Sequence, residues 1–165
     1  MPAKSDIVPM LWYTKDAEEA ARFYASILPD SHVDSVETMP NDSPSGPPGS
    51  VVVVEFTLLG RPFSAMSAGP LDPFNHAISL MVFADTQEEI DKYWNALGAG
   101  GSYEPCGWLK DRYGVSWQIT PRMLMEVHKD KDRARAKRVL DAMMKMKKII
   151  IADLERAYRD EGVPA

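Results

Sequence analysis

An internal repeat limits the possible folds of this chain more than any other feature of the sequence. A shift of 70 residues places segment 18–27 on segment 88–97, and both copies carry a Glu-Glu pair followed by two adjacent aromatic residues. A shift of 54 residues places segment 60–66 on segment 114–120, and both copies begin with Gly and have an aromatic residue at the fourth position. The repeat predicts two βαβββ units in tandem.

The residue pattern of the first copy predicts its strands and helix. Apolar residues recur three or four apart between Asp16, which is a suitable helix N-cap, and Pro29, which ends the helix. Segment 41–50 is rich in Pro, Gly and Ser and predicts a flexible loop. The predicted strands span residues 7–13, 31–39, 51–59 and 62–67.

The second copy begins with a predicted strand at residues 75–84 and a helix that starts at Asp85 or Thr86. A hairpin follows at residues 103–121, where Asp111 opens and Gly114 closes a four-residue turn. After the turn, apolar and uncharged polar residues alternate, which predicts a strand with one apolar and one neutral polar face. A neutral polar face suits the floor of a ligand pocket.

The bulk composition indicates one globular domain in the cytoplasm. The chain has 165 residues, of which 45% are hydrophobic, and it has a net charge of −5, which argues against nucleic acid as the main partner. We expect no membrane span, since no apolar run approaches the ~20 residues required, and no signal peptide. The single cysteine, Cys106, has no partner for an internal disulfide. It has no His or Arg next to it in sequence, which favours an inert buried thiol over a nucleophile.

Charge is divided unevenly along the chain. Residues 1–128 contain 8 Lys and Arg against 17 Asp and Glu, whereas residues 129–165 contain 11 against 7. Apolar residues three or four apart predict one amphipathic helix, or two helices with a break near residues 147–149, in this basic segment. Two interpretations fit: the segment docks on the same chain or across a dimer, or it presents a solvated helix face.

Seven motifs in order resemble the PhnB-like family of the vicinal-oxygen-chelate superfamily. This superfamily also contains glyoxalase I, bleomycin-resistance proteins and extradiol dioxygenases, and the PhnB-like family is often labelled 3-demethylubiquinone-9 3-methyltransferase-like. The motifs cover nearly the whole chain: FYASILPDS (23–31), GRPF (60–63), NHAIS (75–79), DTQEEID (85–91), CGWLKD (106–111), GVSWQI (114–119) and AMMKM (142–146).

The resemblance implies an α+β fold in which tandem βαβββ modules form curled mixed sheets around a cleft, as in glyoxalase and bleomycin-resistance proteins. The first module would span residues 5–70 and the second residues 74–122, within a domain of residues 1–128. A C-terminal helical extension of residues 129–165 would follow. Such proteins are usually homodimers.

Enzymes of the superfamily hold a divalent metal on four cleft-facing strand positions. Alignment with the glyoxalase-like pattern Asp-x-x-Gly-x-x-x-Glu, extended by the repeat, places these positions on Pro9, Ser64, Ser79 and Gln118. None is a His or a carboxylate, the donors that hold a catalytic divalent metal. We therefore predict no metal site and no cofactor.

Strand alternation from these four positions predicts the cleft lining. Trp12 and Trp117 would face the helices instead. Apolar walls with a few neutral hydrogen-bonding groups suit a small, partly apolar molecule, although the Met and Phe side chains would also suffice to fill the cleft themselves. The predicted lining residues are Leu11, Tyr13, Ser64, Met66, Ser79, Met81, Phe83, Ser116, Gln118 and Thr120.

Three functions follow from these features. The first is binding or sequestration of a small molecule in a metal-free cleft of a homodimer, with neither nucleic acid nor membrane as a partner. The second is a superfamily enzyme of the lyase, isomerase or dioxygenase type with a relocated site, using groups such as Glu55 or His76 as acid or base. The third is a methyltransferase, which the pattern does not support because the glycine cluster at residues 98–101 follows a predicted helix rather than a strand.

Overall fold

The computed structural model describes residues 7–161, which divide into two compact units, one ending at Pro73 and the other beginning at Phe74. In the first unit β1 is parallel to β4, the other pairs are antiparallel, and the sheet order is β1-β4-β3-β2. The elements of this unit are β1 (Met10–Tyr13), α1 (Ala17–Ile27), β2 (His32–Thr38), β3 (Val52–Leu58) and β4 (Arg61–Ser67).

The second unit repeats this arrangement, with sheet order β5-β8-β7-β6 and a parallel β5–β8 pair. The predicted α+β fold with two βαβββ copies is therefore confirmed, and each copy forms its own mixed, open four-stranded sheet. The elements are β5 (Leu80–Phe83), α2 (Gln87–Gly98), β6 (Ser102–Tyr103), β7 (Trp108–Lys110) and β8 (Ser116–Thr120).

The two helices begin in different ways. Thr86 is the N-cap of α2 and forms a capping box with Glu89, in which the Thr86 hydroxyl accepts from the Glu89 N–H at 3.2 Å. Asp16 precedes α1 but makes no side-chain capping bond. Instead the N–H of Ala17 donates to the Ser67 hydroxyl at 3.0 Å, so the end of β4 satisfies a free helix N–H group.

The hairpin between β7 and β8 is closed by a buried carboxylate. Asp111 is 3% exposed, and its Oδ1 accepts from the N–H groups of Tyr113 at 2.8 Å and Val115 at 3.1 Å. Its Oδ2 accepts from the Trp117 indole at 2.8 Å. Gly114 has a φ of 89°, a conformation that favours glycine. The predicted turn is therefore confirmed, and Asp111 also anchors the core of the unit.

Three helices follow the second sheet: α3 (Arg122–Lys129), α4 (Arg133–Met143) and α5 (Ile151–Tyr158). The predicted break between helices lies between Met143 and Ile151, close to its expected position. The sequence pattern did not predict α3. No helix within residues 7–161 is both long enough and apolar enough to cross a membrane.

The segment between α4 and α5 packs within the second unit, against α2 and the residues just before β7. The Gln87 side chain donates to the Ile149 carbonyl at 3.1 Å and accepts from the Ile151 N–H at 2.9 Å, as a neighbouring strand would. The N–H groups of Cys106 and Gly107 donate to carbonyls of this segment at 2.8 and 2.7 Å. Of the two interpretations of the basic segment, docking within the same chain therefore applies to residues 146–151. The start of the C-terminal extension at residue 129 stays a prediction.

Candidate functional site

One face of the second sheet carries most of the predicted site residues of this unit. The register pairs Met81 with Gln118 and Phe83 with Thr120, so these side chains share a face. Met81 and Phe83 are 39% and 38% exposed, although both are large and apolar. The opposite face of the same strands holds buried residues, namely Val82, Trp117 and Ile119. We call the face that carries Met81 and Gln118 the neutral face. It is defined by Ser79, Met81, Phe83, Ser116, Gln118 and Thr120.

The polar groups of the neutral face carry no charge. The Gln118 amide nitrogen donates to the Ser79 hydroxyl at 2.8 Å, which leaves the amide oxygen without a partner among the described residues. Ser116 is 1% exposed, and its hydroxyl makes no hydrogen bond to any described residue. An unpaired buried hydroxyl costs about 1–3 kcal/mol. The neutral face thus offers one free acceptor, the Gln118 amide oxygen, beside apolar side chains, whereas the Ser116 hydroxyl is buried beneath the surface.

Aromatic and cationic groups border the neutral face. Trp108 of β7 lies opposite Gln118 in the register, so its side chain is on the same side of the sheet. The Arg122 guanidinium lies 5.1 Å from the centre of the Phe83 ring and forms an ion pair with Asp85. The Arg122 backbone N–H, assisted by its guanidinium, lowers the pKa of the Asp85 carboxyl below its usual value. Arg122 is therefore held at the end of β5.

In the first unit the predicted orientation of Leu11 and Tyr13 is wrong. Both residues are buried, and the Tyr13 hydroxyl lies 3.1 Å from the Tyr24 hydroxyl of α1. They pair in register with the buried residues Ala65 and Ser67, on the helix side of the sheet.

The opposite side of this sheet carries Met10 and Trp12, which pair with Ser64 and Met66. The prediction that Trp12 faces the helices is therefore also wrong, whereas Trp117 does face the core. The Trp12 indole donates to the Gly69 carbonyl at 2.9 Å.

The error has a simple geometric cause. The shift of 70 residues is correct for the helix start, since it relates Asp16 to Thr86. In the strands, the partners Ser64 and Gln118 relate Met10 to Met81, which is a shift of 71. The first copy thus has one more residue between strand and helix. A slip of one residue turns every side chain of a strand to the other face.

The four positions that the resemblance aligned with the metal ligands of the superfamily carry weak donors, and Ser64 pairs in register with Met10 rather than with Pro9. The Pro9 carbonyl accepts from the Ser64 N–H at 2.9 Å, so this oxygen already has a partner. Ser79 and Gln118 bond to each other. Among residues 7–161, no group of three or more His, Cys, Asp and Glu side chains has an arrangement able to hold a metal ion.

A His–carboxylate pair near Trp108 was missed because residues 75–79 were predicted as part of a strand. The strand begins only at Leu80, and Asn75 Oδ1 accepts from the Ala77 N–H at 2.8 Å in a turn. Alternation therefore does not govern His76. Its Nε2 lies 2.8 Å from Glu104 Oε2, and its ring centre lies 6.1 Å from that of Trp108.

Cys106 lies in an unusual conformation beside a methionine. Its φ of 62° is in the left-handed region, and its thiol donates to the Met144 sulfur at 3.8 Å. Cys106 is half-buried rather than fully buried. The prediction of a buried thiol is therefore confirmed only in part. The prediction that this thiol is inert stays a prediction.

The sequence matches a known protein family. Residues 5–120 match the family model described as 3-demethylubiquinone-9 3-methyltransferase. The chain belongs to this family. It is a PhnB-like member of the vicinal-oxygen-chelate superfamily, as its resemblance implied. The family match ends at the end of β8, so α3, α4 and α5 lie outside it.

One solved structure agrees with this family assignment, and a second shares the fold. A Bacillus cereus PhnB protein, titled as a 3-demethylubiquinone-9 3-methyltransferase, is 32% identical over 71% of this chain and 99% of its own, with a TM-score of 0.60. A Pseudomonas aeruginosa protein is 24% identical over 72% of this chain and 98% of its own, with a TM-score of 0.52.

A more distant neighbour shares the fold alone. The fosfomycin resistance protein FosX of Listeria monocytogenes, in complex with Mn(II) and sulfate, is 16% identical over 71% of this chain and 91% of its own, with a TM-score of 0.51. No curated protein matches the chain.

Proposed function

We propose that this PhnB-like protein binds a small, uncharged, partly apolar molecule on the neutral face of its second sheet, without a metal. The observation that carries this proposal is the hydrogen-bonded Gln118–Ser79 pair on the same face as the half-exposed side chains of Met81 and Phe83. Large apolar side chains beside a few fixed polar groups are typical of small-molecule sites. The free oxygen of Gln118 would accept a donor of the ligand.

The equivalent face of the first sheet supports a second ligand-contact surface. Ser64 and Met66 lie on it, together with Met10 and Trp12, whereas Leu11 and Tyr13 belong to the core and leave the proposed set. Met10 is 50% exposed, so this face also presents apolar side chains to a ligand. We propose it as a separate candidate contact surface, because Ser64 of the first sheet and Gln118 of the second are repeat-related positions with equivalent partners in register, Met10 and Met81.

We propose a binding site without a metal because the side chains at the predicted metal positions are poor metal ligands. FosX is described with Mn(II), but the four positions that the resemblance aligned with the metal ligands of the superfamily carry an imino acid, two hydroxyls and an amide in this chain. Neutral hydroxyls and amides are weak ligands for catalytic divalent metals in competition with water. Binding would instead depend on shape, hydrogen bonds and apolar contact.

The methyltransferase named in the family description receives no support from the glycine cluster. Gly98 is the last residue of α2, and Gly100 and Gly101 lie in the loop before β6. Glycines that bind a cofactor phosphate or carboxylate precede a helix, where free N–H groups point at the ligand. We therefore propose binding rather than methyl transfer. A homodimer and a cytoplasmic location stay predictions from the resemblance and from the single cysteine.

A binding experiment with matched variants tests the proposal. Uncharged bicyclic aromatic compounds with one amide or hydroxyl group would be titrated by calorimetry in buffer with EDTA. We expect Met81→Ala and Gln118→Leu to weaken the best compound about tenfold or more, equivalent to about 1.4 kcal/mol. Met144→Ala is the control, since Met144 is 66% exposed and lies in the segment before α5. Equal affinity of wild type, Met81→Ala and Gln118→Leu would contradict the proposal.

A further inference from the structure

We propose that His76 and Glu104 form a proton-transfer pair that removes an acidic C–H proton from a molecule bound on the neutral face. This inference rests on the proposed function, because it requires that face to hold the molecule. His76 is the catalytic base, and Glu104 is a positioning residue. Neither residue is among the predicted metal positions Pro9, Ser64, Ser79 and Gln118.

The backbone holds both side chains in place. His76 lies in the turn closed by the Asn75 side chain, whose Oδ1 accepts from the Ala77 N–H at 2.8 Å. The Glu104 N–H donates to the Trp108 carbonyl at 2.9 Å, at the start of the hairpin that contributes to the neutral face. The two side chains therefore meet because two anchored segments meet, although 28 residues separate them in the sequence.

The hydrogen bond selects the tautomer of His76. Glu104 Oε2 is an acceptor, so a neutral imidazole at 2.8 Å carries its proton on Nε2 and donates it to the carboxylate. Nδ1 is then left with a free lone pair. A base oriented by a carboxylate on its other nitrogen is the arrangement that general-base catalysis requires.

The pair lies at the border of the proposed site. The His76 ring centre is 6.1 Å from the centre of the Trp108 ring, and Trp108 faces the same way as Gln118. The side chain of His76 is 52% exposed and that of Glu104 is 24% exposed. The imidazole is thus accessible to a flat molecule stacked near Trp108, while the carboxylate that orients it is more enclosed.

The step balances without an oxidant, a reductant or a metal. The probe 5-nitrobenzisoxazole is a flat, uncharged aromatic molecule with one acidic C–H bond. Nδ1 of His76 accepts the proton from C3, the C–H electron pair completes a nitrile, and the ring N–O bond breaks with its electrons kept on oxygen. The product is 2-cyano-4-nitrophenolate, which absorbs visible light, and the imidazolium returns its proton to water.

The test compares the rate of this elimination in wild type and variants. His76→Gln should lower the protein-catalysed rate by about 100-fold, the lower end of the range for loss of a general base. Glu104→Gln should lower kcat with KM unchanged, because it leaves the base present but poorly oriented. The matched control is His32→Gln, since His32 Nε2 forms a similar exposed pair with Asp34 at 3.0 Å, on β2 of the first unit.

Each outcome decides between the two proposals. Equal rates in wild type and His76→Gln, or an equal loss in His32→Gln, overturn the proton-transfer pair. If the probe perturbs the NMR signals of Trp108 and Gln118 but shows no catalysed elimination, the pair fails and the binding function stands. If it perturbs neither signal and shows no catalysis, both proposals fail for this class of molecule. Circular dichroism of each variant verifies that the fold is retained.

Discussion

The indole nitrogen of Trp117 donates a hydrogen bond to the carboxylate of Asp111 at 2.8 Å, and both residues are buried. The same carboxylate closes the turn between β7 and β8. The Asp111 side chain therefore fixes the start of the strand that carries Gln118 and also satisfies the indole N–H of the buried Trp117. The position of the neutral face depends on this connection.

We predict that Asp111→Ala destabilises the protein by about 3–5 kcal/mol, because it leaves two buried N–H donors and one half-buried N–H donor without their acceptor. Urea unfolding followed by tryptophan fluorescence measures this loss. Asp42→Ala in the exposed loop before β3 serves as the control and should change stability by less than about 0.5 kcal/mol. A loss as small for Asp111→Ala would show that the buried carboxylate does not anchor the turn.

The orientation of β1 predicts a contrast in stability between residues on the two faces of that strand. Tyr13→Ala should cost about 3–5 kcal/mol, since it empties a buried site against α1. Met10→Ala, at a position that is 50% exposed, should cost less than about 1 kcal/mol. Thermal unfolding of the two variants provides the comparison. The reverse order would restore the orientation that strand alternation from Pro9 predicted.

The sequence allowed the fold to be predicted because local signals and the repeat agreed. The turn chemistry of Asp111 and Gly114 and the alternation of β8 were sufficient to place Gln118 on the correct face. The orientation of β1 was not predictable from the helix-based shift, because a single extra residue between strand and helix leaves the helical match intact. The direction of Leu11 is therefore visible only in the register.

The His76–Glu104 pair illustrates a second limit of sequence-based prediction. The segment 75–79 was predicted as part of a strand, but it forms a turn in which the Asn75 side chain accepts from the Ala77 N–H. An Asn two residues before the donor is a signal for such a turn. No local pattern, however, relates His76 to a glutamate 28 residues later.

The docking of the C-terminal segment predicts a local effect of Gln87. Gln87→Ala removes the partners of the Ile149 carbonyl and the Ile151 N–H, so α5 should open more readily. We expect the exchange of the Ile151 amide hydrogen to accelerate at least about tenfold, equivalent to about 1.4 kcal/mol. Asn95→Ala, on the exposed face of α2, is the control. Unchanged exchange at Ile151 in Gln87→Ala would contradict the role of this side chain.

The contribution of Asp85 to the free energy of unfolding should decrease as the pH falls. The Arg122 backbone N–H and guanidinium lower the pKa of Asp85 below its usual value of 3.8. A carboxylate whose pKa is lower in the folded state contributes stability above the unfolded pKa and loses it as the pH falls through the folded pKa. The stability difference between wild type and Asp85→Asn should thus be largest near neutral pH and narrow below about pH 4. Urea midpoints measured from pH 7 to pH 2.5 test this, and a constant difference would contradict it.

The most direct test of the metal-free binding site is the NMR signal of the Gln118 side-chain amide, assigned by its loss in Gln118→Leu. The uncharged bicyclic aromatic compounds described above would be titrated into wild-type protein in the presence of EDTA, and again with ZnCl₂ in place of the chelator. We predict that at least one compound shifts this signal to saturation, with the same affinity in both buffers. A signal that no compound shifts, or that shifts only with zinc present, would contradict a metal-free site on the neutral face.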